Sequence, residues 1–236
     1  MAPRTQQTYA GHLTDTQIDQ GLRSYMLKVY NYMTSGLALT GLVAYVVANT
    51  GMFQAIYGSG LGFVVMLAPL GIVFFMGFKI EKMKASTAQT LFWVFSILMG
   101  ASLSYIFIIY TSTSIMRVFF ITAAMFGAMS LYGYTTKRSL AKWGSFLFMG
   151  LIGVVIAMVV NIFLQSSMMH FVISVIGVIV FTGLTAYDTQ RIKAVYAASD
   201  GQSVMTKKAV MGALSLYLNF INMFIMLLHL FGGQRG

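Results

Sequence analysis

Phe181–Lys193, reading FTGLTAYDTQRIK, closes a long apolar run and sets one acid, Asp188, against it. A second run, Ala209–Phe231, follows a short polar loop and carries Asn219 and Asn222. Runs of this kind reach the ~20 residues that cross a bilayer as a helix. A carboxylate at membrane depth is costly, so it marks a functional site and demands a partner. The other reading open here keeps Asp188 at the membrane edge, solvated beside Arg191.

Composition extends that reading to the whole chain. Of its 236 residues, 58% are hydrophobic and 8% charged, where a soluble domain carries about 25% charged. A water-soluble fold is excluded. A membrane β-barrel needs alternating segments of ~10 residues, and the unbroken runs contradict it. The expected fold is an all-α membrane protein with seven transmembrane helices, near residues 32–48, 60–78, 89–110, 115–135, 143–164, 169–188 and 209–231. Residues 1–17 read as a flexible cytoplasmic tail and 18–236 as a single transmembrane domain.

Thr14 and Gln17 have capping-box spacing. Beyond them Ile18, Leu22, Tyr25, Met26, Val29, Tyr30 and Met33 recur at helical spacing, with Arg23 and Lys28 between. This predicts an amphipathic helix on the membrane surface that runs into the first span. The first 25 residues lack the apolar core of a signal peptide, so that span serves as the insertion signal. Pro69, beside Gly71, predicts a kink and a hinge in span two. Small residues four apart, at Gly36 and Thr40, Gly100 and Ser104, and less clearly Gly127 and Leu131, allow helix backbones to approach.

The net charge is +10, yet its distribution excludes nucleic acid as a partner and leaves the lipid bilayer. Arg4, Arg23, Lys28, Lys79, Lys82, Lys84, Lys137, Arg138, Lys142, Arg191, Lys193, Lys207 and Lys208 fall on one side of a seven-span chain. Only Arg117 and Arg235 fall on the other. By the positive-inside rule the N-terminus is cytoplasmic and the C-terminus outside. No inverted repeat of the transporter kind is visible.

There are no cysteines, and His12, His170 and His229 form no ligand or catalytic pattern, because a metal needs three or four convergent donors. The lysines sit at span ends, away from any Schiff-base position. The chain therefore reads as no enzyme and as needing no cofactor. Polar side chains at helical spacing remain. Ser215, Asn219, Asn222 and Met226 share one face of span seven, and Thr182, Thr185 and Asp188 one face of span six. Amides facing lipid are expensive, so these faces should meet inside the bundle. A carboxylate lined by hydroxyls and set against amides results, unless those groups only hold helices together.

At these residues TGLTAYDTQRIK (182–193), ALSLYLNFINMFIMLL (213–228) and QGLRSYMLKVYNYMTSGLALTG (20–41) resemble the transmembrane Bax inhibitor motif family, in its bacterial branch. The resemblance implies seven helices with the last one central, surrounded by the other six. It implies a calcium leak latched, in a pH-dependent way, by aspartates on spans six and seven, and links bacterial relatives to a membrane-anchored AAA protease. Asp188 matches the first aspartate. The second falls in an LYLDF-like segment, where this chain has LYLNF and so Asn219. Two close carboxylates share a proton with a raised pKa. An amide does not titrate, but donates a hydrogen bond as a protonated acid would.

The resulting expectation is a bacterial inner-membrane leak pathway for cations, chiefly Ca²⁺ as transported ion. Its gate is Asp188 against Asn219, supported by Thr185, Arg191, Ser215 and Asn222. Asp188 alone makes a weak Ca²⁺ site, since that ion takes six to eight oxygens. The alternative is a non-conducting regulator that docks on a membrane protease complex. The oligomeric state is left open.

Overall fold

A computed structural model describes residues 15–235, with side chains from Asp19 onward. The expected tail up to Thr14, and with it the capping box, lies outside the described residues. Helix α1 (Asp15–Ala48) is one continuous element and already includes Asp15–Gln17. A short α2 (Met52–Gly58) leads to α3 (Gly62–Lys79), a 3₁₀ turn (Ile80–Lys82) and α4 (Ala85–Leu103). Then come α5 (Tyr105–Ile109), α6 (Ser112–Thr135), α7 (Ala141–Leu164), α8 (Ser167–Ala194) and α9 (Gln202–Phe231). Seven of the helices, with α4 and α5 counted as one, are long and apolar enough to cross a membrane.

Two expectations are corrected here. The stripe Tyr25, Met26, Val29 and Met33 does not lie on a membrane surface, because all four residues are buried in the bundle core. Its periodicity reports burial against protein, and the head of α1 is tied down where the Lys28 ammonium donates to Thr206 Oγ1 at 2.8 Å. Span six also does not end at Asp188. Helix α8 continues to Ala194 and puts Arg191 and Lys193 in its last turn, where cations suit the dipole. Asp188 is thus nearly two turns inside the helix.

Helix α9 is the most enclosed span, with 72% of its most apolar stretch buried, against 11% for α3 and for α7. It packs on α8, α1, α6 and α4, while α3 rests mainly on α4 and α7 on α8. The implied ring of six is therefore incomplete, and α9 is flanked by four helices. Helix α3 runs unbroken through the buried Pro69. The proline expected to act as a hinge thus does not interrupt the helix.

Helix packing depends on missing side chains and buried hydroxyls. A Cβ on Gly36 would press into Phe92, and one on Gly100 into the Thr40 carbonyl at 2.6 Å. Both glycines thus serve the contact of α1 with α4. Gly127, by contrast, has nothing within 4 Å. Thr40 Oγ1 donates to the Ser96 carbonyl at 2.9 Å and lies 2.7 Å from the Tyr217 hydroxyl, joining α1, α4 and α9. Interhelical hydrogen bonds in membranes contribute about 0.6 kcal/mol on average and up to about 2. Tyr217→Phe is accordingly expected to lower stability by about 1 kcal/mol, read as a reduced unfolding midpoint in detergent, with the fold retained.

The break between α4 and α5 also has a local cause. Ser104 Oγ donates to the Ala101 carbonyl at 2.7 Å, competing with the helix backbone. The Tyr57 hydroxyl of α2 then serves the Ala101 and Ser102 carbonyls at 3.2 and 3.1 Å.

Side-chain bonds gather the loops into two ends. Lys193 reaches the Tyr134 carbonyl at 2.9 Å and Lys207 the Glu81 carbonyl at 2.9 Å, so the basic segments share one end. At the opposite end the C-terminal residues strap α9 to the junction of α5 and α6. Thr111 N donates to the Gly233 carbonyl at 3.0 Å, and Arg235 N to the Ile109 carbonyl at 2.8 Å. His170 and His229, far apart in sequence, meet there with ring centroids 4.4 Å apart.

Candidate latch between the sixth and seventh spans

Helix α8 turns Phe181, Leu184, Thr185, Asp188 and Ile192 inward at steps of three and four, and all five are buried. Asp188 is 6% exposed. Burying a carboxylate is tolerated only when its lone pairs are filled. Here they are. Asn219 Nδ2 donates to Asp188 Oδ2 at 2.8 Å, and Ser215 Oγ donates to the same oxygen at 2.9 Å. The other oxygen, Oδ1, pairs with an Arg191 guanidinium nitrogen at 2.9 Å. Ser215 and Asn219 stand four apart on α9, so one face presents both donors.

Arg191 belongs to the same cluster. It lies 5.8 Å from the Tyr187 ring centroid and donates to Ser215 Oγ at 3.3 Å. Its side chain is 52% exposed against 9% for that of Asp188. Solvent and salt weaken the ion pair on that side, whereas the bonds from α9 are sheltered. The two readings of Asp188 thus merge: it is buried against the Asn219 amide and the Ser215 hydroxyl and is also paired with Arg191.

The other expected residues go elsewhere. Thr185 Oγ1 donates to the Phe181 carbonyl of its own helix at 2.8 Å, and Thr182 Oγ1 contacts Met223 Sδ at 3.5 Å. A helical threonine has a carbonyl one turn back within reach, and that bond wins over the longer path to Asp188. The expected hydroxyl lining from α8 is therefore replaced by Ser215 of α9. Asn222 likewise donates to the Leu218 carbonyl at 2.8 Å and lines the adjoining groove without touching Asp188. Pro69 lies in α3, while the α3 residue at that groove is its neighbour Leu70. Among the described residues no three of His, Cys, Asp and Glu converge. A cation at Asp188 would have to displace existing donors and draw on backbone and water oxygens.

That groove has a volume of 760 Å³. Its walls come from α7, including Ser145, Phe148 and Val155, and from Leu70 of α3; Asp188, Arg191, Ser215 and Asn219 form a polar floor. A neighbouring chamber of 730 Å³ lies nearer the basic end, beside Phe78 and Lys208. Phe148, Arg191, Ser215 and Leu218 line both. Asp188 and Asn219 line the first of these alone, while Arg191 and Ser215 beside them belong to the wall shared with the second, in the gap left by α3 and α7.

Three positioning residues have no signal in the sequence read alone. Tyr187 packs against Gly144, where a Cβ would fall inside the ring's contact distance. Gln190 accepts from Leu140 N at 2.7 Å and donates to the Arg138 carbonyl at 2.9 Å, clamping the loop between α6 and α7 to α8. Only their place inside AYDTQ could have marked Tyr187 and Gln190.

A family model described as "Inhibitor of apoptosis-promoting Bax1" matches residues 22–236. The chain is 50% identical over 234 residues to a protein of Rickettsia prowazekii, covering 96% of this chain and 98% of that one. It is 47% identical over 219 residues to the inner membrane protein YbhL of Escherichia coli, covering 91% and 94%. A membrane protein of Streptococcus pyogenes is 38% identical over 233 residues, covering 94% and 97%.

Proposed function

The chain belongs to the Bax inhibitor-1 family of membrane proteins, and on that premise we propose that this multi-pass inner-membrane protein is a cation leak pathway, chiefly for Ca²⁺, held shut at Asp188. The observation that carries the reading is the buried carboxylate on the floor of the groove, fixed from α9 by Asn219 and Ser215. While those bonds stand, α8 and α9 are pinned and the negative charge is consumed. When they part, the same carboxylate becomes a cation ligand facing the groove. The basic end faces the cytoplasm in this reading, as the distribution of Lys and Arg requires.

Ca²⁺ flux into proteoliposomes tests it. Asp188→Asn keeps the shape but removes the charge that holds Arg191 and attracts the ion. Net hydrogen bonds to charged groups are worth about 1.5–3 kcal/mol, so flux is expected to change at least about threefold. Equal flux for the two proteins at every pH would sink the gate and favour a non-conducting regulator.

A further inference from the structure

Helices α1 and α6 both pack on α9, yet they leave a crevice between them. Three cavities of 660, 450 and 430 Å³ lie along it. The first and second share Tyr30 and Phe126; the second and third share Leu37, Gly41, Phe119 and Phe220. They therefore join. Along α1 the lining runs from Arg23 to Tyr45, about 33 Å at 1.5 Å per residue, which matches the ~30 Å hydrocarbon layer.

Each wall carries an unexplained glycine. Gly127 on α6 and Gly41 on α1 both line the crevice, and a Cβ on either would meet nothing within 4 Å. A glycine inside a helix costs about 1 kcal/mol relative to alanine, and no protein contact repays it at these two positions. At the basic end the mouth holds Arg23, and the wall behind it includes Tyr30 and Ser130, whose hydroxyls are bonded to each other. Lys193 lies next to it, with its ammonium 4.9 Å from the Tyr134 ring centroid.

We propose that the basic half of this crevice is a binding site for one anionic phospholipid. Its phosphate sits at Arg23, and an acyl chain lies along Met26, Tyr30, Phe126 and Gly127 toward the bilayer midplane. The site lies on the other side of α9 from the latch groove and does not depend on the proposed leak. A bound chain would fill the space that α1 and α6 leave between them.

Native mass spectrometry of the full-length protein, released from vesicles of phosphatidylglycerol and phosphatidylcholine, tests it. One phosphatidylglycerol should persist on the wild type after detergent lipid is stripped. Gly127→Phe sets its Cβ in open space and its ring in the basic half, so the bound lipid should fall at least tenfold while the unfolding midpoint holds or rises. Arg23→Gln should reduce the preference for phosphatidylglycerol about fivefold, the effect of one basic residue at a membrane surface. Gly41→Phe fills the opposite half and should leave retention unchanged. Undiminished retention in Gly127→Phe, or equal retention of the two lipids by the wild type, overturns the proposal.

Discussion

Asn219→Asp is expected to make cation flux through the proposed leak strongly pH-dependent. In the wild type the amide nitrogen lies 2.8 Å from Asp188 Oδ2, and an amide does not titrate. The variant puts a second carboxyl at that distance. Two ionised carboxylates about 3–4 Å apart repel by several kcal/mol even at an effective dielectric constant of ~20. The closed pair therefore holds one proton between its two carboxyls. In the proposed open state the two groups separate and the proton is no longer shared. Closure is consequently favoured at low pH and lost as the shared proton leaves at higher pH. Arg191, 2.9 Å from Oδ1, favours the ionised form of the pair. Flux through Asn219→Asp should rise at least tenfold between roughly pH 5 and 8, while the wild type stays much flatter. A flat profile in the variant would count against any latch between these positions.

Gly133→Ala is expected to be the most damaging conservative substitution in the bundle. A Cβ at position 133 would fall well inside contact distance of the Ala186 carbonyl oxygen, with the carbonyl carbon and Cα at 2.9 Å. Those are backbone atoms of α8 two residues before Asp188, so no side chain can swing away. Overpacking costs about 1–3 kcal/mol where side chains adjust, and a rigid backbone places this site at or above the upper end. The measurable result is a loss of folded, monodisperse protein in detergent. Gly127→Ala, on the same helix but facing the open crevice, serves as the tolerant comparison. A normal unfolding midpoint for Gly133→Ala would show that α6 and α8 can separate without cost.

Seven spans were legible because uninterrupted apolar length is a one-dimensional property. The pairing of Asp188 with Asn219 was legible from helical spacing together with the resemblance of LYLNF and AYDTQ to a family pattern. What escaped depends on relations between distant elements. The stripe on α1 has the period of a surface helix and of a buried one alike, and only its contacts with α4 and α9 decide between them. Thr185 shares the face of Asp188, yet local competition from the Phe181 carbonyl takes its hydroxyl. The crevice and the groove are properties of the spaces between helices. Open Gly127 and crowded Gly133 look the same in a string of letters.

The helix that fills the centre of the bundle follows the six other candidate spans in chain order. At about 5–20 residues per second, α1 through α8 enter the membrane seconds before α9 is complete. Until then Thr40 and Asp188, both buried in the finished bundle, lack their α9 partners Tyr217, Ser215 and Asn219. The strap from Gly233 and Arg235 to Thr111 and Ile109 follows α9 in the chain, so that end of the bundle closes only once the central helix is in place. Assembly is therefore late and collective, with the four helices that flank α9 acquiring their common core when it docks.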